Sequence, residues 1–178
     1  MFARTLSFAV IVACFATRPL GASDPVSATP PPELQRLASS VGTWKTTQRF
    51  WISAGANAFE STSTENVRWS ESQEFLISEQ RGVAWDGPTS RLCITSWNPE
   101  DRQIHVLEVS RGGSTVDMTV WFEGDTQKVL SYRRWSERLV RVELTIELLS
   151  PDESKFHADC THEEKTWVCL EGTSKRAQ

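Results

Sequence analysis

Residues 139–149 read Leu-Val-Arg-Val-Glu-Leu-Thr-Ile-Glu-Leu-Leu. Val140, Val142, Leu144, Ile146 and Leu148 fall on one side of an extended chain, and Arg141, Glu143, Thr145 and Glu147 fall on the other. Successive side chains of a strand alternate faces, so this is the pattern of a strand with one buried side. Val116, Met118, Val120 and Phe122 repeat it upstream.

On both sides of this stretch the chain shows short runs of β-branched and aromatic residues cut by turn signals. These signals include Asp86-Gly87-Pro88, Asn98-Pro99-Glu100-Asp101, Arg111-Gly112-Gly113, Glu123-Gly124-Asp125 and Pro151-Asp152-Glu153. Strands are predicted at 43–52, 60–69, 74–84, 90–97, 102–110, 114–123, 128–136, 139–149, 155–162 and 166–173. Connections this short, with no helix long enough for a crossover, imply an antiparallel meander. Rolling such a sheet into a cylinder removes its two exposed edges. The expected fold is therefore all-β: an antiparallel up-and-down barrel of about ten strands. Ahead of it, Glu33 to Ser40 (ELQRLASS) is expected to form a short helix, with Pro32 at its first position and Leu34 and Leu37 on one side.

The chain has 178 residues, is 39% hydrophobic and 24% charged, and carries a net charge of -4. Those values describe one ordinary globular domain. An acidic balance argues against nucleic acid as a partner, which requires a basic face to neutralise phosphates. Met1 to Arg4 is a short basic start, and Leu6 to Ala16 is apolar apart from Ser7, a run too short to span a bilayer. This is the layout of a secretory signal peptide, with cleavage expected after Ala22. Cleavage after Ala16 and acylation of Cys14 within Ile11-Val12-Ala13-Cys14 are the alternatives. The expected organisation is a signal peptide over 1–22, a Pro/Ser-rich linker over 23–32 and a single barrel domain over 33–178, exported from the cytoplasm with no transmembrane segment.

Export changes how the cysteines are read. Cys160 and Cys169 flank Thr161 to Val168, which reads as strand, tight turn and strand. A two-residue turn at Glu164-Lys165 places the two cysteines opposite each other, and an oxidising compartment permits a disulfide. Cys93 is left over as a small buried apolar residue.

Leu34 to Trp44 (LQRLASSVGTW) is a short helix running into a Gly-x-Trp at the start of the first strand. Trp69 followed by Phe75-Leu76 and Gly82, and Ile94-Thr95-Ser96-Trp97-Asn98-Pro99 before Ile104, complete an ordered set. Together they resemble the calycin superfamily, and within it a group of lipocalin-like bacterial domains of unassigned function. The resemblance covers 33–173 and implies an antiparallel barrel with, in some members, a small-molecule cavity. Haem-binding members carry a glycine-rich stretch after the Gly-x-Trp. Lys45-Thr46-Thr47 stands there instead, and no cofactor is expected.

Eight tryptophans (44, 51, 69, 85, 97, 121, 135 and 167) are spread along the strands. Large flat side chains fill barrels and pack their ends, and a subset can line a pocket. Trp44, Glu65, Trp69, Trp97 and Trp121 are the candidate ligand-binding residues. Glu79 and Arg81 share a face with Phe75, Ile77 and Val83, and His105 shares one with Leu107 and Val109. Were those faces interior, a carboxylate, a guanidinium and an imidazole would converge in a dry cavity and support acid–base chemistry. Glu79, Arg81 and His105 are the candidate catalytic residues on that reading. His157, Asp159, Cys160 and His162 alternate faces, so one ion reaches at most two of them, and no metal site is expected. Lys128, Arg133, Arg134, Arg138 and Arg141 read as a solvated basic face, the alternative being a surface that meets an anionic ligand or lipid headgroups.

No Gly-x-Ser-x-Gly elbow, phosphate loop, His-Glu-x-x-His or Cys-x-x-Cys is present. The leading expectation is an exported barrel that binds a small, largely apolar molecule without catalysis. The alternatives are a lyase, isomerase or hydrolase working in the cavity, and an envelope interaction module whose core is filled by its own side chains.

Overall fold

The computed structural model describes residues 29–84, 87–135 and 137–177. The proposed signal peptide, most of the linker and Trp85 lie outside the described residues. The ten strands are β1 (Gly42–Phe50), β2 (Phe59–Trp69), β3 (Phe75–Ala84), β4 (Gly87–Asn98), β5 (Gln103–Ser110), β6 (Thr115–Glu123), β7 (Thr126–Trp135), β8 (Arg138–Ser150), β9 (Glu153–His162) and β10 (Lys165–Arg176). Each pairs antiparallel with its chain neighbour, and β1 closes on β10, giving a complete up-and-down barrel. The expected strands are all present. The alternating stretch at 139–149 lies within β8, with Val142, Leu144, Ile146 and Leu148 turned into the barrel.

The helix is shorter than expected. Pro32–Gln35 forms one α-turn, α1, and Ala38–Ser40 a 3₁₀ turn. The chain tightens because the Leu37 and Ser40 amides bond to carbonyls three residues back, at Leu34 and Leu37. This segment closes one end of the barrel. Leu34 and Leu37 are buried against Trp44, Val67, Leu76, Ile104 and Val120, and Trp69 and Trp97 pack around that cluster. Arg176 fixes the junction: its guanidinium lies 4.5 Å over the Trp44 ring and donates to the Val41 and Ser39 carbonyls at 2.7 and 2.9 Å. Trp44 Nε1 donates to the Ser40 carbonyl at 2.7 Å. At the opposite end, Phe50 and Trp135 meet edge-to-face at 5.6 Å, and Trp167 lies 6.3 Å from Trp135.

The β9–β10 turn falls on Glu163-Glu164, one residue earlier than expected, because His162 pairs with Lys165. Cys160 then stands opposite Trp167, not Cys169. A bulge between Val168 and Leu170 inserts Cys169 as an extra residue, and this brings the two cysteines back into reach. They are bonded, with Cα atoms 5.6 Å apart and nine positions of separation. Both are buried among Val140 and Ala158. Closing a loop of that length is worth roughly 2.5–3 kcal/mol in the chain-entropy model.

Among the described residues, β4 and β5 carry an apolar belt on the outer surface. Leu92 and Ile94 of β4 face outward beside Val109 and Leu107 of β5, and Leu92, Ile94 and Leu107 are exposed.

Candidate ligand cavity

The barrel is hollow. A cavity of about 1530 Å³ runs from the α1 end to a rim formed by Phe59, Ala84, Pro88 and Arg111. Ligand sites of drug-sized molecules occupy ~300–1,000 Å³, so the lumen exceeds what one such molecule requires. The filled core expected of a pure interaction module is not found.

Two walls of opposite character line it. On β6 and β8–β10 the inward positions are largely apolar, with Met118, Val120, Phe122, Val142, Leu144, Ile146, Phe156, Ala158 and Leu170, and Ser154 and Ser174 are the polar exceptions. On β1–β5 they are largely polar: Gln48, Ser61, Ser63, Glu65, Ser78, Gln80, Arg91, Cys93, Glu108 and Ser110. Register explains how the polar side chains meet. Glu65 pairs with Gln80, Gln80 with Arg91, and Arg91 with Ser110, so one belt of neighbours runs across four strands. Adjacent strands share facing, and one inward residue fixes the next.

Glu108 is the centre of this wall and is almost fully buried. Arg133 grips it with both terminal nitrogens, Nη1 to Oε1 and Nη2 to Oε2, each at 3.0 Å. Ser110 Oγ donates to Oε1 at 2.8 Å, and Arg91 Nη1 stands 3.5 Å from Oε2. Arg91 Nε also donates to Gln80, whose amide donates to Ser63 Oγ at 2.8 Å. Burial pushes the Glu108 carboxyl up, but the Arg133 hydrogen bonds and charge, with Arg91 and Ser110, outweigh it and hold the group below its ordinary value. Glu108 is therefore a fixed anion and a poor proton donor. Cys93 faces the same space, and burial, aided by the Glu108 charge, pushes its thiol up to about 11. It stays protonated and is a weak nucleophile. Glu65 accepts a hydrogen bond from Ser78 Oγ.

The expected site residues divide between lumen and surface. Trp44 and Glu65 line the cavity. Trp69 and Trp97 pack at its closed end. Trp121 lies outside: Met118, Val120 and Phe122 take the inward positions of β6, and its Nε1 donates to Glu123 at 3.1 Å. Trp121 borders only a shallow crevice between α1 and β5–β6.

Glu79, Arg81 and His105 also lie on the outer face, so the constellation expected to carry catalysis does not assemble. On β3 the inward set is Leu76, Ser78 and Gln80, and Glu79 stands 3.6 Å from Arg68 in an exposed pair. On β5 the inward set is Val106, Glu108 and Ser110. His105 instead meets Asp101 at 2.7 Å and Asp117 at 3.4 Å. Arg133 corrects the reading of the basic stretch in the other direction, since it points inward while Arg141 pairs with Glu143 outside. His157 is exposed on the outer face of β9 and Cys160 is in the disulfide. No group of three or more metal-ligating side chains occurs among the described residues. Arg91 and Glu108 were not singled out by sequence, and Arg133 was read only as part of a basic face. The usable signal was parity: Ile104, Val106 and Glu108 share a face, and Val129, Ser131 and Arg133 share another.

Among known proteins, the family described as a protein of unknown function (DUF1579) matches residues 29–176. No curated protein matches the chain. Solved structures that share its fold include the following two. The S-type phycobiliprotein lyase CPES from Guillardia theta is 13% identical with a TM-score of 0.54, the match covering 81% of this chain and 92% of that one. Rv2717c from M. tuberculosis is 15% identical with a TM-score of 0.60, over 84% of this chain and 100% of that one. At such identities the likeness is one of fold, a lipocalin-like barrel.

Proposed function

The chain belongs to the DUF1579 family, and from that premise we propose that its barrel is a binding protein for a small, largely apolar molecule held in the lumen. The observation that carries this reading is the hollow core: about 1530 Å³, with largely apolar lining on β6 and β8–β10. Natural cores pack densely, and so large an unfilled interior is costly unless something occupies it. A protein described as an S-type phycobiliprotein lyase has a barrel of the same fold. That supports a ligand in the cavity more than it supports a lyase reaction here. The lumen's buried titratable groups point the same way, since Glu108 is locked by arginines and Cys93 is held as a thiol. Membership of the calycin superfamily and export from the cytoplasm are part of the same proposal. The Cys160–Cys169 bond fits an oxidising compartment.

The test uses the tryptophans as reporters, since Trp44 and Trp135 line the cavity. Titration with 1-aminoanthracene, a neutral apolar fluorophore, is expected to quench tryptophan emission by energy transfer, saturating at one probe per chain. Unsaturable or absent quenching would remove the proposal. The mass of the chain recovered after expression with its native start tests export: a mature N-terminus at Ser23 is the expected result.

A further inference from the structure

We propose, building on the binding reading above, that the lumen selects an amphipathic anion: a carboxylate or phosphate head at Arg91 and Arg133, with an apolar tail along β8 and β9. The hydrogen-bonding capacity left over in this cluster lies on the arginines. Glu108 is saturated, because Oε1 accepts from Arg133 and Ser110, and Oε2 accepts from Arg133 and faces Arg91. It offers a ligand nothing further. The arginines do not share that limit. Arg91 uses Nη1 and Nε, and its Nη2 has no partner among the described residues. The Nε of Arg133 is likewise without one.

Both side chains are partly open to the lumen, at 34% for Arg91 and 27% for Arg133. Two guanidinium groups thus share one carboxylate, and the surplus is positive and made only of donors. Guanidinium matches carboxylate and phosphate oxygens in geometry as well as charge. Arg111 at the rim adds a third cation near the path a ligand takes inward. Two charges oppose them. Glu65 is occupied by Ser78 and lies beyond Gln80 on β2, two strands from Arg91. Asp125 lies in the β6–β7 turn by the α1 end, beside the Gly124 carbonyl that Arg36 holds.

The tail follows from the facing wall. Leu144, Ile146, Phe156 and Ala158 present no polar side chain to the lumen. A molecule whose head sits on β4 and β7 lays its apolar body there. An uncharged ligand leaves the free donors unused in a partly dehydrated space, and a cation is repelled.

Equilibrium binding of hexadecanoate, hexadecyl phosphate and hexadecan-1-ol to the intact protein and to Arg91→Gln tests the idea. Both anions are expected to bind the wild type at least about tenfold tighter than the alcohol, the value of one charge-assisted hydrogen bond. Arg91→Gln is expected to lower the affinity for both anions at least about tenfold and that for the alcohol far less, and Arg91→Lys to restore part of the preference. The ratio of carboxylate to phosphate affinity then identifies the head group. Equal binding of alcohol and anions, or a preference that survives in Arg91→Gln, overturns the anion site and leaves the apolar-ligand reading standing. Failure of all three to bind overturns both.

Discussion

Arg133 and Glu108 form a two-pronged ion pair inside the barrel, with both contacts at 3.0 Å and the carboxylate only 2% exposed. Removing one partner of a buried pair leaves the other uncompensated. Glu108→Gln keeps the shape and deletes the charge, and is expected to cost about 2–4 kcal/mol in urea unfolding. Arg91→Gln, farther from Glu108 and partly open to the lumen, is expected to cost under about 1 kcal/mol. The pair also shapes the acid limb. The folded carboxyl lies below its ordinary value of 4.5, so its stabilisation is present above that value and is lost as pH falls through the lowered one. The wild type should weaken in that window and Glu108→Gln should not; parallel acid limbs would contradict the assignment.

His105 gives the opposite sign on the outer face. Slight burial lowers its pKa, but the Asp101 and Asp117 hydrogen bonds and charges outweigh this, and the value is raised above 6.5. Its stabilisation is therefore full below 6.5 and is lost as pH rises through the raised value. Relative to His105→Gln, the wild type should lose no more than about 1 kcal/mol across that rise. Affinity for 1-aminoanthracene should be the same in both proteins. A large change in affinity would put His105 back in the site.

Gly172 on β10 marks where strands crowd. A Cβ there would stand 2.5 Å from the Thr47 carbonyl oxygen, 2.7 Å from Phe156 Cζ and 2.8 Å from Gln48 Cβ. Backbone cannot yield to it, so Gly172→Ala is expected to destabilise by about 1–3 kcal/mol. An unchanged urea midpoint would show that β1 and β10 are less closely apposed than described.

A hollow barrel is only partly legible in a single sequence. β8 was legible because its lumen face is apolar and its outer face charged, the usual contrast across a half-buried strand. On β3 the contrast misleads. Phe75, Ile77 and Val83 suggest the inward parity, yet Ser78 and Gln80 are the residues inside, because a hollow lumen accepts polar side chains that a close-packed core would reject. β5 fails in the same way, with Leu107 outside and Glu108 inside. Register resolves the ambiguity, since Glu65, Gln80, Arg91 and Ser110 follow one another across the sheet. Pairing of that kind is a property of the folded sheet and is not written in any one strand. The cysteine pair shows a related limit: the bond forms through a bulge at Cys169 that alternation alone does not foresee.

The claim on which the functional account stands is that the lumen is the binding site. Leu144 projects into it from β8, between Val129 of β7 and Ala158 of β9. Titration of 1-aminoanthracene into wild type and Leu144→Trp, each with its urea midpoint recorded, tests that claim most directly. The account predicts saturable binding to the wild type and at least about tenfold weaker binding to the variant, with folding retained, because the indole occupies the space the probe needs. Equal affinity in the two folded proteins would place the site elsewhere and contradict it.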